Sequence, residues 1–322
     1  MSPRRHWTRL GQRASGWSPT TRGLLWTSAA GLVFSMLNAL MRLLTLHVDP
    51  FQAQFLRYLF GMLVLLPVML HGGRAGWWPR RIGPQFTRGA VHALGLCLWF
   101  TALPRIPLAD MTAIGFTGPI FIMVGAHVFF REPMRWARWL ACGLGLAGVL
   151  IVVGPRLSGS AGAWHLLMLA SAPVFAASFL LTKALTRHES PTVIVVWQSI
   201  SVSLFSLPLA LPLWQWLGPA QWAAFGLCGL LGSAGHYCLT RSFKVADISA
   251  TQSAKFLDLL WSALMGWLLF ADLPSQTTLV GGTVICASTI WVARRESRED
   301  RRRALLPVDP PLGGRVGPRG PD

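Results

Sequence analysis

The chain has 322 residues, of which 52% are hydrophobic and only 13% charged, against about 25% charged in soluble proteins. With 16 Trp and 32 Gly, that balance excludes an ordinary soluble domain and points to a membrane protein of many spans. The net charge of +17 does not indicate nucleic-acid binding, because the arginines lie between apolar runs rather than on one basic domain.

A span needs about 20 predominantly apolar residues, and ten segments qualify. Residues 1–22 form a basic, polar N-terminus. The apolar run that follows is too long for a signal-peptide core and lacks a small-x-small cleavage site, so it reads as a retained first span at 23–46. Asn38 and Arg42 stand at i, i+4 on one face of it. Arg42 is one turn from the outer end, where snorkelling to the interface competes with a substrate contact. The second span, 51–70, carries Arg57 about a third of the way in. Arg57 either grips a carboxylate or phosphate in bidentate fashion or snorkels outward.

The third span, 87–103, sets His92, Gly95 and Trp99 on one face. Trp99 offers a stacking surface for a planar or cationic group, and His92 either meets a ligand or bonds a neighbouring helix. The fourth span, 107–129, contains Pro119 in "TGPI" and His127, which reads as structural. Glu132 at its exit and Asp272 after span nine read as caps for spans five and ten, since carboxylates are favoured at helix starts. Gly143, Gly145 and Gly148 in the fifth span, 136–154, are helix-packing signals, as are Gly281 and Gly282 in the tenth. They suit scaffold or homodimer contacts.

Pro173 interrupts the sixth span, 163–183, where a kink is expected. The seventh and eighth spans run over 192–213 and 219–240, the latter carrying Ser233, His236 and Thr240 on one face. The ninth, 247–270, contains "QSAKFLDLLWS", with Gln252, Lys255 and Asp258. Lys255 and Asp258 are at i, i+3 and share a face, which Thr251 and Ser262 extend into a polar stripe. The pair either lines a cavity, Lys255 holding a substrate anion while Asp258 balances it or titrates, or neutralises itself as a structural pair. The tenth span covers 276–293, and 294–322, charged and then rich in Pro and Gly, is expected to be disordered.

The five cysteines all lie in apolar runs without a C-x-x-C pair, so they read as unpaired thiols, with no disulfide framework and no metal site. No cofactor is indicated. Twenty-four of the 29 Lys and Arg fall in the segments of one side and two, Arg105 and Arg156, on the other; Arg42, Arg57 and Lys255 fall inside spans. The asymmetry puts both termini in the cytoplasm of a bacterial inner-membrane protein.

The two halves echo each other. Phe34 matches Phe175, Arg42 matches Lys183, Pro50 matches Pro191 and Pro67 matches Pro208 at one constant offset, with Arg57 opposite Gln198. "ADMTA" (109–113) and "ADISA" (246–250) match at a slightly shorter one. The expected architecture is all-α: ten transmembrane helices in two inverted five-helix repeats, 23–154 and 163–293. An odd number of spans per repeat forces opposite orientations, and such proteins bind substrate between the halves near the midplane.

Three words carry a family resemblance: "DPFQAQFLRYLFGMLVLLP", "PLADMTAIGFTGPIFIMVGAHVFFREP" and "VADISATQSAKFLDLLWSALMGWLLFADLPS". On these the chain resembles the EamA-type branch of the drug/metabolite transporter superfamily over about residues 23–293. The resemblance implies a secondary transporter; members carry amino acids, vitamins, nucleotide-like metabolites, metallophores and drugs. Span nine departs from the pattern, with Phe256 where span four has Pro119.

The expected function is therefore transport of a small polar metabolite, anionic or zwitterionic, by alternating access. Amino-acid-like molecules, S-adenosylmethionine and vitamins fit the excess of cationic groups over the single mid-span acid, Asp258. The expected substrate-binding residues are Arg57, Lys255, Asp258, Gln252, Asn38, Arg42, His92, Trp99 and His236. The alternatives are a multidrug exporter of broad specificity and a membrane-embedded lipid-modifying enzyme. The enzyme is disfavoured because no Walker A loop, H-E-x-x-H or G-x-S-x-G occurs. The partners are the substrate and the lipid bilayer, with a homodimer allowed.

Overall fold

The computed structural model describes residues 17–102, 114–115, 117–133, 135–153, 163–270 and 276–305, and within them the chain is helical without strands. The main helices are α1 (Pro19–Thr45), α2 (Pro50–His71), α3 (Ile82–Ala102), α4 (Gly118–Phe130), α5 (Trp136–Val153), α6 (Ala163–Leu185), α7 (Pro191–Ala210), α8 (Pro219–Val245), α9 (Ile248–Lys255), α10 (Leu257–Phe270) and α11 (Gln276–Leu305).

Local chemistry starts these helices. Ser18 Oγ accepts from Thr21 N at 3.1 Å, Asp49 Oδ1 from Phe51 N at 2.8 Å and Ser190 Oγ from Val193 N at 3.2 Å. A proline follows each cap, at the first helical position, where its missing N–H costs nothing. Interior prolines, Pro67 in α2, Pro173 in α6 and Pro208 in α7, are accommodated within continuous helices. α4 ends on Arg131, whose left-handed backbone (φ 55°) reverses the chain into Glu132.

Among the described residues, four helical stretches are long and apolar enough to cross a membrane: Pro19–Thr45, Pro50–His71, Leu166–Leu185 and Pro191–Leu213. Of the other expected spans, α3 and α8 carry Arg88, His92, His236 and Arg241, and α4 is only 13 residues long. Expected span nine is not one helix but two, α9 and α10, joined at Phe256. α11 runs on to Leu305, into the segment expected to be disordered, and Arg295 lies over the Trp136 ring of α5 at 4.4 Å.

The helices pack most extensively as α1 on α8, α3 on α6, α2 on α7 and α8, and α5 on α11. Lipid offers apolar side chains the same surroundings as a protein interior, so close packing rather than burial must hold such helices together. The α2–α8 crossing shows how: a Cβ on Gly229 would stand 2.5 Å from the carbonyl carbon of Phe60 and 2.6 Å from Gly61 N. All five cysteines are unpaired. Asp272 and residues 103–113 lie outside the described residues.

Candidate substrate site: a buried polar cluster across five helices

On α3, Arg88 and His92 are one turn apart and project from the same face. Both are buried. Arg88 Nε donates to Thr182 Oγ1 of α6 at 2.5 Å, and its Nη2 donates to Gln198 Oε1 of α7 at 2.7 Å. Because arginine only donates, the atom facing it must be the Gln198 carbonyl, which turns the amide nitrogen toward His236 of α8, 3.1 Å from Nε2. The same amide nitrogen is 3.3 Å from His236 Nδ1, so the imidazole accepts from Gln198 through one of its ring nitrogens. Tyr58 Oη of α2 bridges the two histidines, 3.0 Å from His92 Nε2 and 3.4 Å from His236 Nε2. His92 Nδ1 reaches Ser178 Oγ of α6 at 3.0 Å.

The result is one connected network, drawn from α2 and α3 on one side and α6, α7 and α8 on the other. Aromatic rings enclose it. Phe34 stands 4.9 Å from the His236 ring, Phe175 5.5 Å and Phe179 6.2 Å from the His92 ring.

The charge balance is uneven. Arg88 is 1% exposed, its Nη1 has no hydrogen-bond partner and no carboxylate pairs with it among the described residues. Arg57 lies beside the cluster, its guanidinium 4.9 Å from the Tyr58 ring centroid and its Nε also buried without a partner. An unneutralised guanidinium inside a bilayer costs about 2.5–3.5 kcal/mol or more, so the two guanidiniums of Arg57 and Arg88 form a ready counter-charge for an anionic or acceptor-rich ligand.

Of the residues expected from sequence, the structure gathers Arg57, His92 and His236 here. Asp258 is set apart: its Oδ2 takes the ammonium of Lys255 at 2.5 Å, and its Oδ1 is buried against Gly31 of α1 without a hydrogen-bond partner. Gln252 bonds its own helix, donating to Ile248 O at 2.8 Å. Trp99 packs on Phe100 and Met168 and against the apolar layer that also holds Tyr58 and Phe175, and makes no hydrogen bond to the cluster among the described residues. Asn38 is exposed on α1, and Arg42 is exposed in its last turn. The expected stripe of Thr251, Lys255, Asp258 and Ser262 does not form one face. The break at Phe256 interrupts it, Thr251 is buried and bonds Ile248 O at 2.7 Å, and Ser262 is exposed.

Sequence reasoning missed Arg88, Tyr58, Ser178, Thr182 and Gln198. Arg88 falls at the edge of expected span three, 87–103, among the basic residues of one side, and its spacing of four from His92 is the signal that could have found it. Glu132 does not cap span five; its carboxylate accepts from Ile248 N and Ser249 N, both at 3.0 Å, at the start of α9.

The model of the EamA-like transporter family matches residues 21–154 and 162–294. The chain is 33% identical to the riboflavin transporter of Rhizobium johnstonii over 285 residues, 88% of this chain and 94% of that protein. It is 24% identical to the S-adenosylmethionine uptake transporter of Rickettsia prowazekii over 279 residues, 86% and 94% of the two chains. A solved crystal structure superposes with a TM-score of 0.74 at 20% identity, covering 86% of this chain and 98% of the other.

Proposed function

The chain belongs to the EamA-like transporter family, and we propose that it moves a small polar metabolite across the bacterial inner membrane by alternating access. The two matched segments support ten spans in two inverted five-helix repeats, with both termini cytoplasmic as the Lys and Arg distribution requires. The site lies where helices of both segments meet.

One observation carries the substrate class: Arg88 is wholly buried, holds two neutral hydrogen-bond acceptors and has no carboxylate partner among the described residues. A ligand with a carboxylate, phosphate or rows of carbonyl acceptors supplies what the protein leaves out. The surrounding rings of Phe34, Tyr58, Phe175 and Phe179 favour a planar heteroaromatic group. Riboflavin-like vitamins and S-adenosylmethionine have both features, and proteins named for these two substrates are among its relatives.

Uptake of radiolabelled riboflavin and S-adenosylmethionine into proteoliposomes tests the reading. One of them is expected to be transported, with the rate reduced in Arg57→Ala, Arg88→Gln and Lys255→Ala. Wild-type rates in all three variants would overturn the site assignment.

A further inference from the structure

The end of the molecule at which α4, α6 and α8 finish is tied shut by charged groups that the substrate site does not use. Glu132, just beyond α4, is 7% exposed. Its Oε1 accepts from Ile248 N, and its Oε2 accepts from Ser249 N at 3.0 Å and from Ser249 Oγ at 2.5 Å. Arg138 of α5 donates to the same Ser249 Oγ at 2.7 Å and pairs with Asp247 Oδ2 at 3.2 Å. Glu132 and Arg138 come from the first matched segment; Asp247, Ile248 and Ser249 come from the second.

Beneath this polar clasp lies an apolar plug. Ile122 and Ala126 of α4, Leu180 of α6, Phe243 of α8 and Ile248 of α9 are all buried in one cluster. The plug adjoins the substrate site, because the Phe179 ring is 6.2 Å from that of His92 and 6.2 Å from that of Phe243. A hydrated substrate cannot pass between the site and this end without parting the clasp and the plug together.

We propose that Glu132 is the positioning residue that sets which face of the transporter is closed, by holding the start of α9 against the exit of α4. The inference rests on the transport reading above, but its test needs no substrate, so the two can fail separately. The carboxylate does what no neutral side chain would do equally well: it satisfies two adjacent backbone N–H groups and a hydroxyl while complementing the positive end of α9.

A reporter cysteine at Ala126, in a background with the five native cysteines replaced by alanine, reads the opening of this end. Ala53→Cys, equally buried near the opposite end of the molecule, is the control. A membrane-impermeant maleimide is applied to inside-out and right-side-out vesicles, so the result does not depend on orientation. Glu132→Gln is expected to speed labelling at 126 by about tenfold or more, the order that losing a charge-assisted hydrogen bond gives to an opening equilibrium. Labelling at 53 does not rise, since opening one end of an alternating-access transporter leaves the opposite end closed. Ser249→Ala, which removes the hydroxyl shared by Glu132 and Arg138, gives a smaller rise, and Glu132→Asp labels more slowly than Glu132→Gln. Equal labelling in wild type and Glu132→Gln overturns the proposal. So does an equal rise at 53, which would mark general loosening. If Glu132→Gln does not reach the membrane, Ser249→Ala decides by the same criteria.

Discussion

Lys255 Nζ and Asp258 Oδ2 meet at 2.5 Å across an interruption of the helix, the ammonium on the last residue of α9 and the carboxylate on the second residue of α10. Each charge therefore sits at the helix end that favours it, the cation at a C-terminus and the anion at an N-terminus. The break adds this helix-end complementarity to a pairing that the i, i+3 spacing already allows.

Removing either partner leaves the other charge uncompensated. Lys255→Ala and Asp258→Ala are each expected to lower the thermal midpoint in detergent by several degrees. Both side chains are 24% exposed, so the coupling should be about 1 kcal/mol rather than the larger value of a fully buried pair. The double variant should lose less than the sum of the two, which a double-mutant cycle on the midpoints measures.

Arg88→Lys keeps the charge and loses the fork. A lysine cannot reproduce the two directed donations to Thr182 and Gln198. Transport efficiency is expected to fall about 10–100-fold, the range for losing one or two hydrogen bonds to a charged group. Initial uptake rates against substrate concentration check this, with the loss expected in both apparent affinity and maximal rate.

Tyr58→Phe deletes the hydroxyl between His92 and His236 without changing the ring. His92 Nε2 then faces a C–H edge, and a buried unsatisfied polar atom costs about 1–3 kcal/mol. The variant is expected to melt at a lower temperature and to transport more slowly, while Phe100→Leu, in the same apolar layer but outside the network, should affect stability more than transport.

Gly229→Ala places a methyl against the backbone of Phe60 and Gly61, which no rotamer change relieves. Separation of α2 and α8 should cost about 1–3 kcal/mol. Lower membrane yield and a lower midpoint by fluorescence size-exclusion thermostability would show it, with no change in the identity of the substrate transported.

The helical class and transport family were legible in the sequence because they rest on composition, span length and long matching words. His92, His236 and Arg57 were legible as polar residues in apolar runs. Arg88 was not, because the apolar pattern starts span three at residue 87 and leaves Arg88 at its edge, whereas the helix starts at Ile82 and carries Arg88 six residues in. The interruption at Phe256 was not legible either, since neither Gly nor Pro marks it. Phe256 is fully buried against Met123, Cys142 and Leu259, and its ring fills the place a side chain on Gly145 of α5 would occupy. A hole in a distant helix sets the conformation there, and no local pattern records it. Glu132 was correctly read as a capping residue and assigned to the wrong helix, because sequence order suggests the next helix while the reversal at Arg131 aims the carboxylate across the molecule.

Asp247, at the position where α9 would ordinarily be capped, makes no capping hydrogen bond of its own. The first turn of α9 borrows its cap from another part of the chain. Under the proposed alternating access, separation of the two segments at that end would take the acceptors from the first N–H groups of α9, and a helix of eight residues has little cooperativity with which to resist fraying. Opening is then a partial melting as well as a displacement. The order of one short helix becomes a readout of the direction the transporter faces, one that amide hydrogen exchange at Ile248 and Ser249 would follow through the cycle.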